Sequence, residues 1–146
     1  MKPKKIVIIT GATSGIGKAC AMLFAENNSD VIICGRRKQR LEKLNQEISK
    51  KTKADVLHLC FDVCNPSQVK KTFSTLKGKW KNIDILVNNA GLALGLNPIN
   101  KGNTADWNKM IDTNIKGVLY VSKAVIQGMI KRKSDPKNGK KSIVLS

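Results

Sequence analysis

The sequence predicts an α/β fold: a doubly wound parallel sheet, truncated after the fifth strand. Three observations carry this. Apolar runs rich in β-branched residues recur along the chain, and stretches with helical spacing separate them. Within the runs apolar residues are continuous rather than alternating, so both faces of each strand must be covered by helices. Clusters of Gly, Asn, Asp and Ser punctuate the transitions, as turn chemistry requires.

The elements follow in order. Ile6-Val7-Ile8-Ile9 is the first strand, and it runs into Thr10-Gly11. From Gly15 the spacing becomes helical, with Ile16, Ala19, Cys20, Leu23 and Phe24 on one expected face. Asn27 to Asp30 breaks that helix, and Val31-Ile32-Ile33-Cys34 is a second strand ending at Gly35. Residues 38–51 place Leu41, Leu44 and Ile48 on one face of a charged helix. Residues 56–61 form a third strand. Asn65-Pro66 reads as a cap with proline at the first helical position, followed by Val69, Phe73 and Leu76. Residues 83–87 form a fourth strand, closed by Asn88-Asn89-Ala90-Gly91. After a loop with Gly95, Pro98 and Gly102, Thr104 is expected to cap one long helix reaching Met129. Ile143-Val144-Leu145 begins a fifth strand. The strand order implied is 3-2-1-4-5.

The 146 residues suit one domain, spanning 1–146 and incomplete at its C-terminus, and are too few for two. Apolar residues at 41% and charged residues at 25% give a globular balance rather than a disordered one. Cys20, Cys34, Cys60 and Cys64 are too few for a disulfide scaffold and lie in apolar stretches, which points to reduced thiols. The basic start, Met1 to Lys5, precedes only four apolar residues, short of the roughly 7–15 of a signal peptide. A soluble, cytoplasmic chain with no membrane partner is expected.

The strongest chemical signal is Thr10-Gly11-Ala12-Thr13-Ser14-Gly15-Ile16-Gly17 between the first strand and the first helix. Gly11 permits a sharp exit from the strand, Gly15 lets backbone approach a pyrophosphate, and Gly17 lets the helix pack on the sheet. The helix start then offers N–H groups and a positive dipole to phosphate. The alternative is a glycine turn with no ligand. A second signal is Gly35-Arg36-Arg37 at the end of strand two. An acid there commonly holds the ribose 2′-hydroxyl of NAD, whereas two guanidinium groups suit a 2′-phosphate. The alternative is a solvated basic face, since Lys38 and Arg40 follow.

These residues resemble the short-chain dehydrogenase/reductase family, whose fold is Rossmann-like. The loop at Thr10, Gly11, Thr13, Ser14, Gly15, Ile16 and Gly17 is similar to its cofactor loop. Asp62-Val63 resembles its adenine contact, Asn88-Asn89-Ala90-Gly91 its N-N-A-G signature, and Asn114 to Gly117 its N-x-x-G segment. Residues 83–95 and 107–117 look more narrowly like the NADP-dependent 3-hydroxy acid (serine) dehydrogenase subgroup. The resemblance implies an NADP-dependent oxidoreductase that moves hydride between nicotinamide and a small hydroxy or carbonyl substrate. It implies that the Asn114 carbonyl holds a water of the proton relay, and that the complete protein is a homo-oligomer.

The chain also departs from the family. Catalysis there uses a Ser after strand five and a Tyr-x-x-x-Lys. The one tyrosine here is Tyr120, with Lys123 at i+3 and both ahead of strand five, so they read as ordinary helix residues. Ser146 is expected to lie just before the catalytic Ser position. The rival expectation is therefore a non-catalytic nucleotide-binding fragment.

The formal charge of +17, from 27 basic and 10 acidic side chains, raises nucleic acid as a partner. The cations concentrate at residues 36–53 and 131–141, and the second cluster has no aromatics for base stacking. No nucleic-acid-binding motif is visible, and a solvated basic face is the expectation. His58, Cys60 and Cys64 lack a fourth ligand, so no metal is expected.

Overall fold

A computed structural model describes residues 4–133 and 143–145. Five strands form one parallel sheet: β1 (Lys5–Ile9), β2 (Ser29–Gly35), β3 (Val56–Cys60), β4 (Ile85–Val87) and β5 (Ile143–Leu145). Their order is β3-β2-β1-β4-β5, as the sequence implies, with every pair parallel. The helices are α1 (Gly15–Glu26), α2 (Lys38–Lys51), α3 (Pro66–Ser74), α4 (Thr104–Ile111) and α5 (Val118–Lys133).

The pleat of β1 divides the core into two layers. Ile6 and Ile8 face one way and pack with Ile32, Leu86, Val121 and Val125. Val7 and Ile9 face the other way and pack with Val31, Ile33, Leu41 and Ile48. Both faces are thus covered, which is why these strands carry continuous apolar runs. Phe61 and Phe73 close the α3 side edge to face, with ring centroids 5.9 Å apart.

Several elements differ from expectation. The buried residues of α1 are Gly17, Ala21 and Ala25, whereas Ile16 and Leu23 are exposed at 76% and 60%. The small residues at i, i+4 and i+8 let the helix lie close on the sheet, and that close approach outweighs side-chain size. β2 starts at Ser29 rather than Val31, because Lys5 to Ile9 pair with Ser29 to Ile33 along its whole length. β4 is only three residues long. Ile83 and Asp84 stay buried before it, and Asp84 Oδ2 accepts from the Ile6 N–H at 2.9 Å. Asn65 does cap α3, its side chain accepting from the Gln68 N–H at 3.0 Å.

The long helix expected from Thr104 is interrupted. Asn103, not Thr104, is its cap, with its side chain accepting from the Ala105 N–H at 2.9 Å. A π turn over Asp112–Gly117 then separates α4 from α5. Ser146 and residues 134–141 of the basic stretch lie outside the described residues.

Candidate functional site

The cleft lies over the C-terminal ends of β1, β2 and β4 and has a volume of about 460 Å³. This is where the strand order reverses direction, since β2 and β4 flank β1 on opposite sides. Gly11, at φ +65°, turns the chain out of β1 in the left-handed region that favours glycine. A Cβ there would meet the Ala90 Cα at 2.8 Å, so this loop and the loop after β4 touch backbone to backbone. Gly17 is closer still: its Cβ would fall 2.3 Å from Asn89 Nδ2 and 2.4 Å from the Gly11 carbonyl oxygen.

Hydrogen bonds fix those two loops together. The buried Thr10 hydroxyl accepts the N–H groups of Asn89 and Ala90 at 3.1 and 3.0 Å. In return, Asn89 Nδ2 donates to the carbonyls of Thr10 and Gly11, both at 3.1 Å. The Thr10 hydroxyl and the Asn89 amide nitrogen are thus used in holding the floor of the cleft.

The mouth is different. Gly15 sits at φ +53°, and a Cβ there would have no protein atom within 4 Å. Ser14 is the cap residue of α1, yet its side chain makes no capping hydrogen bond. The first N–H groups of α1 consequently lack a side-chain acceptor. Ile16 lies exposed at the rim.

Of the sequence-predicted residues, Gly11, Thr13, Ser14, Gly15, Ile16, Arg36, Arg37, Asp62, Val63, Asn89, Ala90 and Gly91 line this one cleft. Three do not. Gly17 is packing beneath the loop. Asn88 points into the fold, with Nδ2 donating to Ser122 Oγ at 3.1 Å. The side chain of Asn114 grips the loop after β4: Oδ1 accepts from the Leu92 N–H at 2.9 Å, and Nδ2 donates to the Leu92 carbonyl at 2.8 Å. It does so from within the π turn, and its neighbour Thr113 reaches the cleft. Gly117 ends that turn against Val63, where a Cβ would meet Val63 Cγ2 at 2.8 Å.

Arg36 and Arg37 stand at the end of β2, both exposed. Arg36 Nη1 lies 3.9 Å from Asp62 Oδ2 across the rim, a loose pair in water. Asp62 Oδ1 accepts from the Cys64 N–H at 2.9 Å, which holds the carboxyl in place. The Cys64 thiol lies 3.2 Å from the Thr113 hydroxyl, and burial pushes its pKa up. Phe61, Leu92, Thr113 and Gly35 complete the lining. Gly35 and Thr10 stand inside motifs already noted, although neither motif shows that Gly35 packs on Thr13 or that Thr10 bonds the loop after β4. Leu92 and Thr113 carry no sequence signal of their own. Tyr120 and Lys123 line a separate groove between α3 and α5.

A parallel sheet in this order, with a glycine turn at its switch point, defines a Rossmann-like α/β domain. The short chain dehydrogenase model matches residues 5–139, and the chain belongs to that family. It is 46% identical over 127 residues to an NADP-dependent 3-hydroxy acid dehydrogenase of Salmonella typhi, covering 87% of this chain and 50% of that protein. It is 42% identical over 125 residues to sulfoacetaldehyde reductase 2 of Chromohalobacter salexigens, covering 86% of this chain and 49% of that one. Serine dehydrogenase from Escherichia coli superposes with a TM-score of 0.82 at 42% identity, over 88% of this chain and 57% of that chain. The chain thus spans about half the length of the curated relatives it matches. Among the described residues, no helix is long and apolar enough to cross a membrane.

Proposed function

We propose that this chain binds NADP(H) in the cleft, as a single cofactor-binding domain over residues 1–146 of a short-chain dehydrogenase/reductase. One observation carries the reading: the glycine turn and the Arg36–Arg37 pair open into the same cleft at the sheet's switch point.

The residues present fit the dinucleotide. The open side of Gly15 and the uncapped start of α1 suit the pyrophosphate. Gly11, Thr13, Ser14 and Ile16 shape that path, and Gly17 holds α1 close beneath it. Arg36 and Arg37 suit the 2′-phosphate, since guanidinium forks meet phosphate oxygens in pairs. Asp62 and Val63 border the space for the adenine. Asn88, Asn89, Ala90 and Gly91 form and brace the wall after β4. When bound, the nicotinamide would give or accept the hydride.

For the whole protein we propose hydride transfer to or from a small hydroxy or carbonyl substrate, in a cytoplasmic homo-oligomer. The names of the relatives, a 3-hydroxy acid dehydrogenase and a sulfoacetaldehyde reductase, support that substrate class. Asn114 would contribute its carbonyl to a proton relay. Its place in a π turn supports this, because such a turn takes backbone carbonyls out of the regular helical ladder.

Within these 146 residues, however, the one tyrosine is Tyr120, and it faces a different groove from the cleft. A positioned acid/base contributes about 10²–10⁴-fold of rate. The chain by itself is therefore read as a nucleotide binder without turnover. Two measurements on the purified chain test this. Fluorescence titration should show saturable NADPH binding, and an assay across hydroxy acids and short alcohols should show no turnover. Absence of NADPH binding would overturn the cofactor reading; turnover would show that a group outside Tyr-x-x-x-Lys moves the proton.

A further inference from the structure

The loop after β3 and the π turn build one stretch of the cleft wall, with Asp62 and Val63 from the first and Thr113 from the second. Two contacts join them. Gly117, at the end of the turn, packs on Val63 so closely that a Cβ would meet Val63 Cγ2 at 2.8 Å. Cys64 Sγ lies 3.2 Å from Thr113 Oγ1. The first contact fixes how near the two segments stand. The second is a hydrogen bond, so it also fixes where a hydroxyl points.

Cys64 is half-buried against the core and does not line the cleft itself. The backbone that carries it is braced: the Cys64 N–H donates to Asp62 Oδ1 at 2.9 Å, and the Asp62 N–H donates to Gln68 Oε1 of α3 at 3.0 Å. Thr113 is the one residue of the π turn that does line the cleft. Among the described residues, Cys64 is the one hydrogen-bond partner of its hydroxyl.

The direction of that bond follows from the two groups. Burial raises the Cys64 pKa, the Thr113 contact opposes part of the rise, and Asp62 and Asp112 add to it. The thiol therefore keeps its proton near neutral pH. Sulfur is a weak acceptor, whereas a hydroxyl carries two lone pairs and one proton. The S–H donates to the Thr113 oxygen, and the Thr113 O–H is left to donate elsewhere. Beside it on the wall, the ionised Asp62 carboxylate offers acceptors only. A nucleoside carries donors and acceptors on its base and ribose, and a wall with one group of each kind is complementary to it.

We propose that Thr113 donates a hydrogen bond to the bound nucleotide, and that Cys64 is the positioning residue that aims its hydroxyl from behind the wall. The inference rests on the cofactor reading above and adds two residues to it, one that touches the ligand and one that acts through the first. A hydroxyl with no partner rotates among its staggered positions. The thiol holds this one in place before the ligand arrives, so less freedom is lost on binding.

Fluorescence titration of the 146-residue chain with NADPH tests both parts, at a temperature where thermal unfolding shows every variant folded. Thr113→Val keeps the shape and removes the hydroxyl, and it should weaken NADPH by about three- to tenfold, the range of one neutral hydrogen bond. Thr113→Ser keeps the hydroxyl and should stay within about twofold of wild type. Cys64→Ala should cost roughly two- to fivefold, and Cys64→Ser, which keeps a donor at that place, should recover most of it. In the Thr113→Val background Cys64→Ala should cost nothing further, because the group it aims is gone. A Thr113→Val variant with wild-type affinity, or a Thr113→Ser variant as weak as Thr113→Val, overturns the inference while leaving the cofactor reading standing. A Cys64→Ala loss that adds in full to that of Thr113→Val overturns the positioning role, as does a Cys64→Ser variant no better than Cys64→Ala. A wild type that binds no NADPH overturns the cofactor reading with it.

Discussion

The two ends of the sheet solve opposite problems. At the N-terminal end, buried acids meet their partners within the protein. Asp30 is buried at the start of β2, where it accepts the Asp55 N–H at 2.9 Å and the Lys79 ammonium at 2.7 Å. Lys4 stands 3.4 Å away, and Lys79 also reaches Asp55. Asp84 binds the Ile6 N–H. At the C-terminal end, Thr10 and Asn89 bond the floor, but the mouth keeps an uncapped helix start, a loosely paired Arg36 and, among the described residues, an Arg37 in no salt bridge. One end is complete in itself. The other, on the reading proposed above, would be completed by an anionic ligand, and that asymmetry separates residues that hold the fold from residues left open at its surface.

Substitutions at each end should then affect different observables. The largest effect is expected for Gly15→Val. The left-handed backbone costs a side chain about 1–2 kcal/mol, a tolerable loss of stability. The branched side chain would fill the space left for the pyrophosphate, and NADPH binding should fall more than about 100-fold, roughly 2.7 kcal/mol. Chemical unfolding and NADPH titration on the same sample separate the two; normal binding would show that the turn is not a phosphate loop.

Replacing Arg36 and Arg37 together with Ala should weaken NADPH by roughly 10- to 150-fold, with little change for NADH, as a charged hydrogen bond is worth about 1.5–3 kcal/mol. Wild-type protein that binds both cofactors equally would remove the basis for this expectation.

Asp84→Ala reverses the pattern. It leaves the buried Ile6 N–H without its side-chain acceptor, at a cost of about 1–3 kcal/mol. Urea midpoints should drop, while the dissociation constant for NADPH, measured where the variant is fully folded, stays unchanged. A variant as stable as wild type but unable to bind would break the contrast between the two ends.

The smallest effect is a pH dependence. Burial opposes ionisation of Asp30, but the Lys79 hydrogen bond, the Asp55 N–H and the Lys79 and Lys4 charges together hold its pKa below the ordinary value of 3.8. A depressed folded-state pKa contributes stability above the unfolded-state value, and that contribution is lost as pH falls through the folded one. Asp30→Asn should thus be less stable at neutral pH, and its stability should fall less steeply than wild type below about pH 4. Parallel acid-unfolding curves would contradict this.

Much of this division was readable in the sequence. Continuous runs such as Val31 to Cys34 signal a doubly covered strand, because they are short, rich in β-branched residues and bounded by turn residues. Gly11, Gly15 and Gly17 are legible because no other residue meets their demands. What could not be read depends on neighbours distant in the chain. In α1 the periodicity follows the large residues, whereas Ala21 and Ala25 are buried by the closeness of the sheet. The π turn at Asp112–Gly117 left no breaker residue to mark it before its final glycine. Thr10 looked like the end of a strand; its two accepted hydrogen bonds come from residues 79 and 80 positions away.

Those long spans impose an order on folding. β1 is the central strand, and its links to the segment around β4 run from Ile6 to Asp84 at one end and from Thr10 to Asn89 at the other. β1, β2 and β3 with their helices can assemble from contacts between neighbours in the chain. The cleft cannot, because half of its wall arrives with β4, after closure of a loop of some 78 residues. Loop closure of that kind must be met before any of its contacts contribute. On a growing polypeptide, β1 to β3 gather first, and the cleft remains unmade until Leu92 and Thr113, which help to line it, have emerged. Closure of the cleft is therefore a late step in this chain's assembly, followed by the pairing of β5 with β4, and on the reading proposed above a bound nucleotide would act as a clasp on it.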